Sequence, residues 1–155
     1  MPFRRRRKPR LKVHLQIGAR TLRAPTFAQV RRWAGATLDR PGEITIRIVG
    51  AAEARRLNRS YRGEDHATNV LSFPYALSRQ MVQGDIVLCA PVIAREARSQ
   101  GKTVEAHFAH MTVHAMLHLQ GYDHARRRSA RRMEALEKKV LTKLGYPDPY
   151  DAPAP

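Results

Sequence analysis

Leu11, Val13, Leu15 and Ile17 alternate with Lys12, His14 and Gln16, a period of two that predicts a strand with one buried face. The period then changes. Phe27, Val30, Trp33, Ala34 and Leu38 recur at helical spacing behind Thr26, whose hydroxyl suits an N-cap, and Pro41-Gly42 closes that helix. Ile44, Ile46 and Ile48 alternate with Thr45 and Arg47 as a second strand, after which Ala54, Leu57 and Tyr61 mark one face of a helix from about Ala51 to Tyr61. Beyond a polar loop from Arg62 to Ala67, Asn69 to Phe73 reads as a short strand that Pro74 stops. Ile86 to Ala90 is an unbroken apolar run, suited to an interior strand buried on both faces. Pro91 fits the first turn of a helix that reaches about Gln100 and is closed by Gly101. Thr103 and Ala106 start the next helix, which Gly121 ends. The last helix spans roughly Arg126 to Leu144, with Met133, Leu136, Val140 and Leu144 facing the core and Gly145 as its stop.

Strands and helices interleave, so the expected class is α+β, a small mixed sheet covered by helices. The 155 residues suffice for one domain with a real core and are too few for two ordinary ones. Residues 1–10 have the composition of a disordered basic arm, residues 11–146 carry the periodic elements, and the proline-rich residues 147–155 read as a loose tail.

Charge narrows the picture. Twenty-nine Lys and Arg against thirteen Asp and Glu give a formal charge of +16, a field that attracts polyanions and makes nucleic acid the expected partner. The basic residues gather in two places: Arg4 to Arg10, and Arg126, Arg127, Arg128, Arg131 and Arg132. Either run could instead be a merely solvated surface. No segment pairs a basic face with an aromatic and leucine face as interfacial helices do, and Ile86 to Ala90 is too short to span a bilayer, so a membrane is not an expected partner. Cys89 stands alone in an apolar stretch and reads as a small buried hydrophobe. The basic N-terminal run lacks a following apolar region, so it does not read as a secretory signal, and a reducing cytoplasm is the expected compartment.

The candidate chemistry lies in the histidines. His107, His110, His114 and His118 follow one another at spacings of three, four and four along a single helix and so share a stripe. His114 and His118, one turn apart, can converge on one cation, and the stop at Gly121 lets the chain bring His124 toward the same point. Three imidazoles with a fourth position open describe a catalytic zinc site rather than a structural one. The alternative for the pair alone is a polar face or an internal hydrogen bond. His107 and His110 are at most supporting or substrate-facing residues, because a four-histidine site would close the position water needs. Asp123, beside His124, could orient a ligand or be a plain turn residue. Ala115 occupies the position where a zinc peptidase helix carries its glutamate base, which argues against that activity.

These residues have a relative. The run from His114 to His124, His-Ala-Met-Leu-His-Leu-Gln-Gly-Tyr-Asp-His, resembles the H-G-x-x-H-L-x-G-Y-D-H signature of the YbeY family of bacterial endoribonucleases, with Ala115 in place of a glycine. Leu57-Asn58, Tyr61-Arg62, Asp65 and Thr68 to Pro74 resemble a second family segment, Gly84-Asp85-Ile86 a third, and Met133-Glu134 with Gly145-Tyr146 a closing helix. His66-Ala67 departs from the proline common before that threonine. The likeness covers about Leu11 to Tyr150 and implies a mixed four-stranded sheet flanked by about five helices, with the metal site on a late helix and the turn after it. It implies one Zn2+ per chain on His114, His118 and His124, with Arg62 as a catalytic guanidinium for a phosphodiester. Without the resemblance, Arg62 is a loop arginine pairing with Asp65. Asp85 joins Asp123 and His110 as a residue near the site, and Arg126, Arg127, Arg128 and Arg131 as residues that could hold RNA. The implied activity is metal-dependent cleavage of single-stranded RNA in the maturation of small-subunit ribosomal RNA and in ribosome quality control, with the small subunit or its proteins as further partners. A zinc-containing assembly factor without catalysis is the alternative.

Overall fold

A computed structural model describes residues 8–18, 24–76, 78–123 and 125–151. Along the chain they form β1 (Leu11–Ile17), α1 (Phe27–Gly35), β2 (Gly42–Val49), α2 (Ala51–Arg62), β3 (Val70–Ala76), β4 (Val82–Cys89), α3 (Ala90–Ser99), α4 (Val104–Leu119) and α5 (Arg127–Leu144). One sheet runs in the order β1-β2-β4-β3, with β1, β2 and β4 parallel and β3 antiparallel to β4. The described residues thus form the expected α+β domain, with a mixed four-stranded sheet and five helices.

Alternation sorts the sheet's side chains onto two covered faces. Ile44, Ile46, Ile48, Ile86 and Leu88 join Val13 and side chains of α1, α4 and α5 in the larger cluster, whereas Val49, Val87 and Cys89 meet Leu71, Ala54 and Val92 on the other side. Burial on both faces is why the β4 sequence reads as continuous rather than alternating apolar residues. Thr26 caps α1 through a reciprocal pair of bonds with Gln29. That helix stops at Gly35, so Leu38 packs on the core from the turn beyond it.

The hairpin departs from the sequence expectation. Pro74 does not stop β3, which continues to Ala76, and β4 begins at Val82, ahead of Gly84. Because β3 is an edge strand, a residue lacking an N–H can sit in it without breaking an interior ladder, and the register shifts just there, between Pro74 and Ala76.

Gly84 has a separate role. A Cβ there would stand 2.7 Å from Leu119 Cδ2 and 2.7 Å from the Phe73 carbonyl, so the missing side chain lets the end of α4 lie directly on the β3-β4 pair. α4 itself is buried nearly all round, with Phe108, Ala109, Met111, Thr112, Val113, Ala115, Met116, Leu117 and Leu119 all inside. Its histidines must therefore find partners within the protein.

The C-terminal segment differs from the loose tail expected. Residues 147–151 lie against the body: Lys102 Nζ donates to the Pro149 carbonyl at 2.8 Å, Lys138 pairs with Asp148 at 3.3 Å, and the Tyr150 hydroxyl donates to Glu137 at 2.7 Å. Residues 1–7 of the basic arm and residues 152–155 of the tail lie outside the described residues.

Candidate metal centre

The four histidines of α4 form a graded series. Their rings meet edge to face in succession, with centroids 5.8 Å apart for His107 and His110, 6.4 Å for His110 and His114, and 4.6 Å for His114 and His118. Exposure rises along the series: His107 and His110 are buried, while His114 and His118 are half-buried.

Each buried ring has a carboxylate. His107 Nε2 lies 3.0 Å from Glu96 of α3, which also accepts from Asn69. Glu137, on the core face of α5 and 1% exposed, receives two rings: His110 Nε2 at 2.5 Å on one oxygen and His114 Nδ1 at 2.9 Å on the other. Burial pushes the Glu137 carboxyl upward, but bonds from His110 and His114 outweigh it and hold the group at about 2, so it is ionised at neutral pH. For His107, burial outweighs the bond to Glu96 and lowers the pKa, favouring the neutral ring. His107 Nδ1 and His110 Nδ1 are both buried without a hydrogen-bond partner; in the neutral His107 ring, donation from Nε2 leaves only a lone pair orphaned there.

This bonding decides how His114 presents itself. An ionised carboxylate only accepts, so a neutral His114 carries its proton on Nδ1 and turns a lone pair outward from Nε2. That Nε2 lies 3.1 Å from His118 Nε2. Bonds of about 2.0–2.1 Å at a tetrahedral ion would set two nitrogens about 3.3 Å apart, so the pair suits one zinc-sized cation, and the carboxylate behind His114 is the usual companion of a metal-bound imidazole. Ala115 is buried in the main cluster, and its methyl coexists with this approach. Among the described residues no third His, Cys, Asp or Glu completes a metal-binding group. His124, the third expected ligand, lies outside the described residues.

The other candidates are placed as follows. Arg62 is exposed in the last turn of α2, whose neighbouring Tyr61 stacks on Phe73 at 4.8 Å. Asp65 takes a two-pronged bond from Arg55, at 2.8 and 2.9 Å, so the pairing of Arg62 with Asp65 considered from sequence gives way to a different arginine, about two turns earlier in α2. Asp85 accepts from the Tyr75 hydroxyl at 2.5 Å. Asp123 accepts from the Ala125 N–H at 3.1 Å, the bond of a turn residue, and so shapes the chain on either side of position 124. Arg126, Arg127, Arg128 and Arg131 are all exposed. Arg126 and Arg128, with Arg132, Tyr122 and Asp123, line a cleft of 460 Å³ at the turn between α4 and α5, which Arg127 and Arg131 do not reach.

Residues 20–145 match the family model described as "Endoribonuclease YbeY". The chain belongs to the YbeY endoribonuclease family. Proteins of that name from Aromatoleum aromaticum and Nitrosomonas eutropha are 58% and 53% identical to it, over 90% of this chain and 91% of the first, and over 88% of this chain and 96% of the second. A Thermotoga maritima protein solved in solution shares the fold at 20% identity, with a TM-score of 0.54 over 91% of this chain and 99% of its own. Within this YbeY-type domain, the sequence reading missed Glu137. Its signal was available: Met133, Glu137 and Leu141 follow at four-residue steps on one face of α5, so an acid occupies a core position between two apolar residues.

Proposed function

We propose that this endoribonuclease holds one zinc ion per chain on His114, His118 and His124 and cleaves single-stranded RNA, acting in the cytoplasm on small-subunit ribosomal RNA during its maturation and in ribosome quality control. The observation that carries the reading is the approach of the His114 and His118 Nε2 atoms to 3.1 Å, with the His114 tautomer set by Glu137. When bound, the zinc supplies Lewis acidity toward a phosphodiester. The chain's own residues do the rest. Arg62 offers a planar pair of donors to phosphate oxygens and balances the negative charge that develops as the phosphodiester is attacked. Arg126, Arg128 and Arg132 line the cleft at the α4-α5 turn and hold the RNA backbone, as a formal charge of +16 favours. No helix among the described residues is long and apolar enough to cross a membrane.

The test joins metal analysis to cleavage. Wild-type protein is expected to carry one zinc per chain and to cut a single-stranded RNA, whereas His118→Ala, shown folded by circular dichroism, loses both by more than the roughly 10–100-fold typical of losing an outer partner. Undiminished cleavage by the folded, metal-free variant would refute the catalytic assignment.

A further inference from the structure

Glu137 joins three side chains from two other parts of the fold. His114 Nδ1 meets one of its oxygens at 2.9 Å, and His110 Nε2 and the Tyr150 hydroxyl meet the other at 2.5 and 2.7 Å. His110 and Tyr150 also stack edge to face, their centroids 5.6 Å apart. A carboxylate that is 1% exposed and bonded three ways has little room to rotate. Its surroundings come from α4, α5 and the C-terminal segment, so its orientation is set by the tertiary fold and not by α5 alone.

A buried charge of this kind is a costly way to join two helices, because apolar residues of similar volume often do so as well or better. What an apolar residue cannot do is choose between the two nitrogens of an imidazole. His114 is the ring on which that choice matters, since only its Nδ1–H form turns a lone pair toward His118. His107 gives the contrast within the same helix: its carboxylate, Glu96, holds a ring that is itself buried.

We propose that Glu137 is a positioning residue of the metal centre, which accepts the Nδ1–H of His114 and thereby fixes both the ring's orientation and the lone pair it presents to the ion. His110 and Tyr150 hold the carboxylate in place, which makes the segment 147–151 part of the centre's support. The inference rests on the proposed zinc site for its consequence in metal affinity, but not for the tautomer.

The experiment therefore has two readouts. The first is the nitrogen-proton correlation spectrum of the imidazoles in metal-free wild-type protein, at a pH where they are neutral, with His114 assigned by substitution. An unprotonated Nε2 and a protonated Nδ1 are expected for His114; the opposite tautomer overturns the proposal. The second is zinc affinity, measured by competition with a chelator, for wild type and Glu137→Gln. The amide keeps the volume of the carboxylate but can accept through only one of its two heads, and affinity is expected to fall roughly 10–100-fold with the fold intact. A folded Glu137→Gln protein with wild-type affinity also overturns it. Should the variant fail to fold, the wild-type spectrum still decides. If wild-type protein binds no zinc, the metal reading fails while the tautomer separately reports on Glu137.

Discussion

Glu96 and Glu137 each accept from a histidine of α4, yet the two pairs differ in what lies beyond the ring. Behind His107 there is only core: the ring is 2% exposed, its second nitrogen has no hydrogen-bond partner, and it shares Glu96 Oε1 with the Asn69 amide. Beyond His114 lies another imidazole at 3.1 Å, and the ring is half-buried. The same bond thus closes one end of the helix and prepares the other. A carboxylate-histidine pair is a structural element when the far nitrogen is sealed and a ligand support when it faces a second donor.

The comparison breaks most severely at Glu137. Glu137→Ala would leave two imidazole N–H groups and the Tyr150 hydroxyl without their acceptor, and is expected to cost on the order of 3–5 kcal/mol, since each buried donor left unsatisfied costs about 1–3 kcal/mol. Denaturant unfolding of the metal-free protein measures it. A loss below that of Glu96→Ala would mean the two pairs have been ranked wrongly.

Gly84→Ala comes next and acts without touching a histidine. The added methyl would fall 2.7 Å from both Leu119 Cδ2 and the Phe73 carbonyl; the end of the leucine side chain can turn aside but the backbone oxygen cannot, so β3 must shift against β4 beneath the C-terminal end of α4. Such overpacking costs about 1–3 kcal/mol. Because Leu119 follows His118 directly, the same change is expected to weaken zinc binding, which the chelator competition detects. Unaltered stability and unaltered affinity together would show that the sheet does not set the height of this end of the helix.

How much of this was legible in the chain differs between fold and site, for physical reasons. Strand alternation and the Thr26 cap are local signals, and so were readable, as was the four-residue step from His114 to His118. Pro74 misled because a proline's tolerance depends on whether its strand is interior or at an edge, which is a property of the whole sheet. Glu137 was hidden among Glu134, Lys138 and Lys139, where an acid looks solvated, and its partners lie 27 and 23 residues back along the chain. Asp65 shows the same limit, since its arginine comes from ten residues earlier instead of from the adjacent loop. Tyr150 was lost with a segment whose prolines suggest looseness but whose carbonyl and hydroxyl are both bonded to the body.

Glu96→Ala sharpens the contrast from the other side. It removes the acceptor of a buried N–H, but Glu96 is partly exposed, so water can reach part of the gap; about 1–2 kcal/mol is expected. Zinc affinity should be unchanged, since His107 does not face the ion. An affinity loss matching that of Glu137→Gln would mean that the two carboxylates act as one unit.

The gentlest test is a slope and not a loss. Burial lowers the His107 pKa from 6.5 more than Glu96 on α3 raises it, with His110 and Lys102 adding to the lowering. Between that lowered value and 6.5 the unfolded chain binds a proton that the folded protein refuses, so stability rises with pH across the interval. The contribution is fully present above 6.5 and lost as pH falls through the folded value. His107→Gln, which keeps a donor for Glu96 and cannot take up a proton, should flatten the stability curve there. The acid limb nearer pH 4, where ordinary carboxylates titrate, should stay. Unfolding curves of the two metal-free proteins across the interval measure the difference, and parallel curves would place His107 in a setting where its charge is tolerated, making the sealed end of α4 less sealed than its geometry says.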